Sequence, residues 1–164
     1  MSEIIKIQDS RRVFVETLNE LAQTDDKIIV LICDVGFLYL DDPNLKFKVI
    51  NTGVTEPSTI IIAAAMALDG WKPFVYSMIN FVAFRPFEMV RNAIKMHNAK
   101  VVLLGVKGSE KYKFLGFSHN MIFENEDTYH LKPYMKCFLP KTNDEVREAV
   151  MKAYKREKAS YIRL

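Results

Sequence analysis

The sequence contains few of the residues that define metal-bound or disulfide-linked proteins. Among its 164 residues there are two cysteines, three histidines and one tryptophan. Cys33 and Cys137 lie in apolar stretches and lack the paired Cys or Cys/His spacing of a zinc site. We interpret both as buried, reduced thiols of a cytoplasmic protein, and we expect no metal ligands in this chain.

Long hydrophobic runs and glycine-rich phosphate loops are also missing. The longest apolar runs, near residues 28–33 and 60–68, are far shorter than the roughly 20 residues of a membrane span. Residues 1–4 do not begin a basic and then apolar leader. There is no Walker-type or dinucleotide-type loop and no Gly-x-Ser-x-Gly turn. A net charge of +3, spread along the chain, gives no reason to expect binding to nucleic acid or membranes.

What the sequence does contain is typical of one globular α/β domain over residues 1–164. The hydrophobic content is 49%, and apolar strands alternate with helices. Repeated units of this kind predict a mostly parallel sheet of about six strands with helices on both faces. The predicted strands cover residues 27–33, 47–51, 73–77, 100–106, 136–139 and 160–164, and the helices cover 13–22, the segment after Glu56, 86–97 and 143–155.

Four loops follow the predicted strands and are the expected location of a ligand site. In open α/β sheets the ligand lies beyond the carboxyl ends of the strands. We therefore expect the loops at residues 34–42, 52–57, 77–85 and 106–120 to converge.

Glu56 is the leading candidate for a functional residue, because it stands at the start of an otherwise apolar helix. An alternative is that Thr55 caps this helix and that Glu56 is an ordinary first-turn carboxylate stabilised by the helix dipole. Phe81, Phe84 and Phe87 recur at helical spacing, which is also typical of a core stripe, and we assign Phe87 to the core.

Three segments, taken in their order along the chain, resemble the pyrimidine-binding domain of transketolase. They are the Asn-Thr-Gly-Val-Thr-Glu run at 51–56, the strand at 72–77 and the aromatic run at 81–92. The resemblance extends from Arg11 to Leu164 and is strongest to two-subunit transketolases. It implies the thiamine-diphosphate-binding fold. It also implies transfer of a two-carbon ketol unit between sugar phosphates or related sugars.

The resemblance assigns roles to several residues. In transketolases the glutamate that matches Glu56 hydrogen-bonds N1′ of the cofactor's aminopyrimidine ring and activates the cofactor. The phenylalanine that matches Phe81 stacks on the same ring, and Phe84 is expected to complete the pocket. Arg85 matches an arginine common in two-subunit relatives, and we interpret it as a supporting or interface residue.

A second short segment, Gly116-Phe117-Ser118-His119, is similar to the family's Gly-x-Thr-His sequence. The matching histidine contacts substrate oxygen atoms and assists proton transfer, a role suited to imidazole. Ser118, and Asp34 after the first strand, are candidate substrate-contacting or supporting residues. Leu115 stands where many transketolases have an aspartate that reads sugar hydroxyls, so ordinary pentose phosphates are not implied.

The family's magnesium and diphosphate motif, Gly-Asp-Gly followed by a distant asparagine, is missing from this sequence. The resemblance therefore implies a partner domain or subunit that binds the diphosphate and Mg²⁺, and it implies an isolated chain that is inactive. Relatives also lead us to expect a homo-oligomer, in the form of a homodimer. The chain is either a natural small subunit or a piece of a longer protein.

Two alternatives remain open at this point. The β subunit of 2-oxo acid dehydrogenases shares the fold and the glutamate, although the segment 77–92 and the Ser118-His119 pair are more similar to transketolase. A non-catalytic α/β association module is the other alternative, and the presence of Glu56 argues against it.

Overall fold

The computed structural model describes residues 9–107 and 110–164, in which six strands form one parallel sheet. The strand order is β2-β1-β3-β4-β6-β5, and every neighbouring pair runs parallel. The predicted fold class is confirmed. The strands are β1 (Ile28–Ile32), β2 (Lys48–Asn51), β3 (Lys72–Met78), β4 (Val102–Val106), β5 (Lys136–Phe138) and β6 (Ser160–Arg163).

Helices cover both faces of this sheet. They are α1 (Ser10–Leu21), α2 (Phe37–Leu40), α3 (Glu56–Leu68), α4 (Ile79–Ala83), α5 (Phe87–Met89), α6 (Glu126–Leu131) and α7 (Asn143–Lys155), with a π-helix at Val90–Lys95 after α5 and a 3-10 segment at Glu110–Ser118. In the described part of the chain, every helix is too short or too polar to cross a membrane.

Each face of the sheet has its own core. On one face α1 packs beside α7, and the ring of Phe14 lies 6.2 Å from that of Phe74 and 6.1 Å from that of Tyr76. On the other face α3 and the π-helix bury Ile60 and Ile94 against the sheet. The central strand β1 is buried along its whole length, as its uninterrupted apolar sequence predicted.

The structure differs from the sequence prediction mainly in short helices. α2 and α4 have four and five residues and lie in segments that we predicted to be loops, and the six-residue α6 lies in a segment for which we predicted no element. A helix of one turn is too short to establish a hydrophobic period, which explains why the pattern did not indicate them. The predicted helix 86–97 is divided into α5 and a π-helix, which shifts the hydrogen bonds from the fourth to the fifth preceding residue, as from Met96 N–H to Arg91 C=O.

A buried polar cluster joins α6 to the interior strand β6. Asp127 is fully buried and accepts hydrogen bonds from Tyr161 Oη at 2.5 Å and from both Nε and Nη2 of Arg163, at 3.0 and 2.7 Å. Burial and the nearby Asp127 carboxylate raise the pKa of Tyr161 well above its usual value, so its hydroxyl remains a donor. Gly105 faces this ring, and a Cβ there would collide with Tyr161 Oη. The cluster therefore fixes α6 against β6.

The order of the strands places a crevice between β1 and β3. From β1 the chain moves outward to β2, and it then crosses back to β3 on the other side of β1. The loops after β1 and β3 consequently diverge to opposite faces of the sheet. This is the topological switch point at which parallel α/β sheets bind ligands.

Candidate functional site

A cavity of about 670 Å³ opens at this switch point. All four loops that we predicted to converge contribute residues to its lining. Gly36 shapes its floor, because its φ of 99° and the ring of Tyr76, which would lie 2.7 Å from a Cβ, both exclude a larger residue. The lining also includes Asp34, Glu56, Phe81, Tyr112 and His119.

Glu56 is the first residue of α3 and is fully buried. The Thr55 hydroxyl donates to the carbonyl of Thr52 at 2.8 Å and makes no capping bond to α3, so the simple capping alternative is wrong for Thr55. The Glu56 carboxylate has two partners. Oε1 accepts a long hydrogen bond from Ser77 Oγ at 3.4 Å, and Oε2 accepts a short one from Arg85 Nη1 at 2.6 Å.

Arg85 connects the Glu56 carboxylate to the ring of Phe81. The Arg85 Cζ lies 4.1 Å from the centroid of the Phe81 ring, which is the distance of a guanidinium stacked on an aromatic face. Arg85 occupies the turn between α4 and α5, and 39% of its side chain remains exposed. The sequence predicted the proximity of Glu56 and Phe81, and the resemblance marked Arg85 as a supporting or interface residue without indicating its ion pair with Glu56.

Phe84 and Phe87 lie apart from this group. The rings of both meet the ring of His130 edge-on, at centroid distances of 5.1 and 5.5 Å, and neither lines the cavity. Phe84 also packs against the core under α3, and Phe87 packs against Tyr134. The structure thus brings Phe81, but not Phe84, to Glu56.

His119 completes the cavity wall opposite Glu56. Its ring meets Phe81 edge-on at 4.9 Å and stacks on Tyr112 at 6.0 Å. Ser118 Oγ donates to the carbonyl of Leu115 at 3.0 Å and lies 2.8 Å from His119 Nδ1. A hydroxyl has one hydrogen, so a Ser118 that donates to Leu115 accepts from Nδ1–H, whereas the other His119 tautomer would take that hydrogen for Nδ1. The first arrangement leaves the lone pair on His119 Nε2.

Two asparagine side chains hold the segment that contains His119, and sequence reasoning missed both. Asn80 Nδ2 donates to the carbonyls of Phe117 and Asn120, at 3.0 and 3.1 Å. Asn120 Nδ2 donates to the carbonyls of Tyr112 and Gly116, at 3.0 and 2.9 Å. Asn80 could have been proposed from the sequence, because it directly precedes Phe81 in the loop that follows the same strand.

Asp34 lies at the mouth of the cavity in a left-handed backbone conformation, with φ 56°. Its backbone N–H donates to Asn51 Oδ1 at 3.1 Å, and its carboxylate accepts from Asn51 Nδ2 at 3.3 Å. Asn51 Oδ1 also accepts from the N–H of Gly53 at 2.9 Å. Asn51 therefore ties the loops after β1 and β2 together, and Asp34 is held where a non-glycine residue is strained.

Neither thiol is arranged to act as a nucleophile. Burial raises the pKa of the Cys33 thiol, so Cys33 is protonated and a poor nucleophile. Cys137 is half-buried and not fully buried as predicted, because it lies in the edge strand β5. Within residues 9–107 and 110–164, no cluster of three or more His, Cys, Asp or Glu side chains is placed to hold a metal ion.

This arrangement, a buried carboxylate and an aromatic face at the switch point of a parallel sheet, is that of a cofactor-binding α/β domain. The family described as "Transketolase, pyrimidine binding domain" matches residues 7–164. The chain therefore belongs to the family of transketolase pyrimidine-binding domains, and the resemblance seen in the sequence is confirmed.

Individual relatives are of the same kind. The chain is 31% identical to an apulose-4-phosphate transketolase subunit of Phocaeicola vulgatus, over 70% of this chain and 38% of that protein. It is 26% identical to a 6-deoxy-6-sulfo-D-fructose transketolase subunit of Clostridium sp. strain MSTE9, over 94% of this chain and 48% of that protein.

A solved structure agrees with these relatives. A split-gene transketolase, described as an inactive beta4 tetramer, superposes with a TM-score of 0.79 at 29% identity, over 94% of this chain and 50% of that one. The chain thus spans about half or less of the relatives that it matches. These similarities do not favour the 2-oxo acid dehydrogenase alternative or the non-catalytic module.

Proposed function

We propose that this chain is the pyrimidine-binding part of a thiamine-diphosphate-dependent enzyme that transfers a two-carbon ketol unit between sugar phosphates or related sugars. One observation carries the proposal. The buried Glu56 carboxylate and the face of Phe81 already hold a planar, hydrogen-bond-donating group, the guanidinium of Arg85. An aminopyrimidine ring is also planar, and its nitrogen N1′ can share a proton with a carboxyl group, so these residues fit it.

Each candidate residue has a defined part in this proposal. When bound, thiamine diphosphate supplies the carbon centre that carries the ketol unit. Glu56 holds the proton shared with the ring nitrogen N1′, and Phe81 stacks on the ring. Phe84, which was expected to complete the pocket, packs against His130 and the core instead. His119 accepts or returns a proton at a substrate oxygen through Nε2, and Asp34 contacts substrate at the mouth of the cavity.

The rest of the cofactor site is proposed to come from a partner. We propose a diphosphate-binding transketolase domain or subunit that also binds Mg²⁺, with residues 1–164 acting as one pyrimidine-binding domain. The relatives that are subunits or split-gene products support a partner. The nature of the sugar substrate and a cytoplasmic location stay predictions from the sequence.

Titration of the cofactor tests this function. Because only the pyrimidine-side groups are present, we expect the chain alone to show no saturable binding of thiamine diphosphate and Mg²⁺ below about 1 mM and no ketol transfer. Addition of the diphosphate-binding partner should restore both, as measured by calorimetry and by a ketol-transfer assay. Tight, Mg²⁺-dependent binding by the chain alone would contradict the proposed division of the site.

The tautomer of His119 provides a test of its proposed role. Ser118→Ala removes the acceptor of Nδ1–H and should abolish the preference for the Nδ1–H tautomer. Imidazole ¹⁵N chemical shifts of the chain measure that preference directly. In the reconstituted enzyme we expect about a fivefold to tenfold loss of kcat/KM, the value of one hydrogen bond. Ser118→Thr keeps the hydroxyl and is the matched control. An unchanged tautomer in Ser118→Ala would exclude this role for Ser118.

Self-association is a further proposal, and α3 offers a surface for it. One side of α3, which includes Ala63, is buried against the core. The exposed large apolar residues of α3 are Ile61, Ile62 and Leu68, at 48%, 46% and 60%, with Val54 nearby in sequence at 62%. Patches of this kind are common at interfaces.

We therefore expect a homodimer formed through the Ile61 side of α3. Sedimentation over a wide concentration range measures the association. Ile61→Lys should shift the equilibrium to monomer, whereas Leu139→Lys, after the edge strand β5 at the far side of the sheet, is the matched control. A strictly 19.0 kDa species at high concentration would exclude self-association.

A further inference from the structure

Arg85 makes the two contacts that the aminopyrimidine ring requires. Its Nη1 donates a hydrogen bond to Glu56 Oε2 at 2.6 Å. Its Cζ lies over the Phe81 ring, 4.1 Å from the ring centroid. A ring that binds Glu56 and stacks on Phe81 needs the same carboxylate and the same aromatic surface.

The other approaches to these two residues are restricted. Glu56 Oε1 faces Ser77 Oγ in the buried interior, 3.4 Å away. The ring of His119 stands at 80° to the Phe81 ring with its centroid 4.9 Å away. A planar ligand therefore reaches both groups most directly through the space that the guanidinium fills.

Arg85 is also free to leave. It belongs to the turn between α4 and α5 and not to a regular element, and 39% of its side chain is exposed. Its departure breaks one ion pair and one stacking contact and leaves the sheet intact. In contrast, Glu56 and Phe81 are fixed by α3 and α4.

We propose that Arg85 is the resident occupant of the aminopyrimidine subsite and that the cofactor must displace it. This inference rests on the proposed function. Arg85 and the ring nitrogen N1′ compete for the same carboxylate of Glu56. Displacement of Arg85 thus opens the subsite and removes a cation from Glu56, and the chain keeps the subsite closed until the ring arrives.

Binding of the hydroxymethylpyrimidine fragment of thiamine to the full chain tests the inference without any activity measurement. Arg85→Met removes the charge and the hydrogen bond but keeps an unbranched apolar side chain beside Phe81. We expect it to bind the fragment about tenfold more tightly than the parent chain, as for a site that is open about a tenth of the time. Saturation-transfer NMR titrations give the two dissociation constants. Guanidinium chloride should compete with the fragment in Arg85→Met.

Two further variants serve as controls for the fragment titration. Arg91→Met removes an exposed arginine that bonds Asn92 and not the site, and it should leave fragment affinity unchanged. Arg85→Lys keeps the charge and covers the case in which Arg85→Met fails to fold. Because an ammonium cannot stack as a plane, Arg85→Lys should also bind the fragment more tightly than the parent chain.

The outcomes of these titrations distinguish the displacement of Arg85 from the proposed function. Equal or weaker fragment binding by Arg85→Met and Arg85→Lys would overturn the displacement and leave the proposed function standing. Absence of fragment binding in every variant would likewise overturn the displacement. The proposed function fails separately, if the chain reconstituted with its diphosphate-binding partner shows no ketol transfer.

Discussion

Glu56→Gln is expected to reduce ketol transfer by the reconstituted enzyme by about 10²–10⁴-fold, the contribution typical of a positioned proton donor or acceptor. Glutamine preserves the shape of the side chain and can still hydrogen-bond the ring nitrogen. It cannot exchange a proton with that nitrogen. The loss should therefore appear in kcat, with cofactor affinity changed far less.

Folding should survive this substitution, because the partner that loses its counter-charge is partly exposed. The Arg85 side chain is 39% exposed and can turn toward water. Circular dichroism and a thermal melt check this. Ser77→Ala removes only the 3.4 Å contact to Oε1 and serves as the control, with a small effect expected. A Glu56→Gln enzyme with more than about a tenth of normal turnover would return Glu56 to a structural role.

The sheet and its principal helices could be predicted because long elements impose a period on the sequence. β1 reads as an uninterrupted apolar strand, and α7 has the bounds that the sequence predicted, Asn143–Lys155. The one-turn helices α2 and α4 carry no such period. Their positions are fixed by tertiary contacts, as for Val82 and Ala83 of α4, which are fully buried against the sheet.

One part of the candidate site could be predicted from the sequence and another part could not. Glu56, Phe81 and His119 follow strands whose carboxyl ends meet, so topology alone predicts that they converge. The ion pair between Glu56 and Arg85 depends on the path of the turn after α4, which no sequence period encodes. The tautomer of His119 likewise depends on where Ser118 finds an acceptor, and this is a carbonyl three residues earlier.

Asp127→Ala is expected to cost about 3–5 kcal/mol in the free energy of unfolding, because it leaves a buried charge without a partner. Asp127 is fully buried, and only 8% of the Arg163 side chain is exposed, so water cannot replace the lost carboxylate. The Tyr161 hydroxyl loses its acceptor as well. Total stabilities of single domains are about 5–15 kcal/mol, so this variant should be close to unfolding.

Urea denaturation measures this loss, and a second ion pair gives the matched comparison. Glu20 pairs with Arg147 between α1 and α7, but both side chains are about half exposed. Glu20→Ala should therefore change stability little, since exposed pairs are screened by water. Asp127→Asn keeps a hydrogen-bond acceptor and should fall between the two. The two ion pairs differ mainly in burial. Similar urea midpoints for Asp127→Ala and Glu20→Ala would therefore contradict the assignment of Asp127 as the residue that fixes α6 against β6.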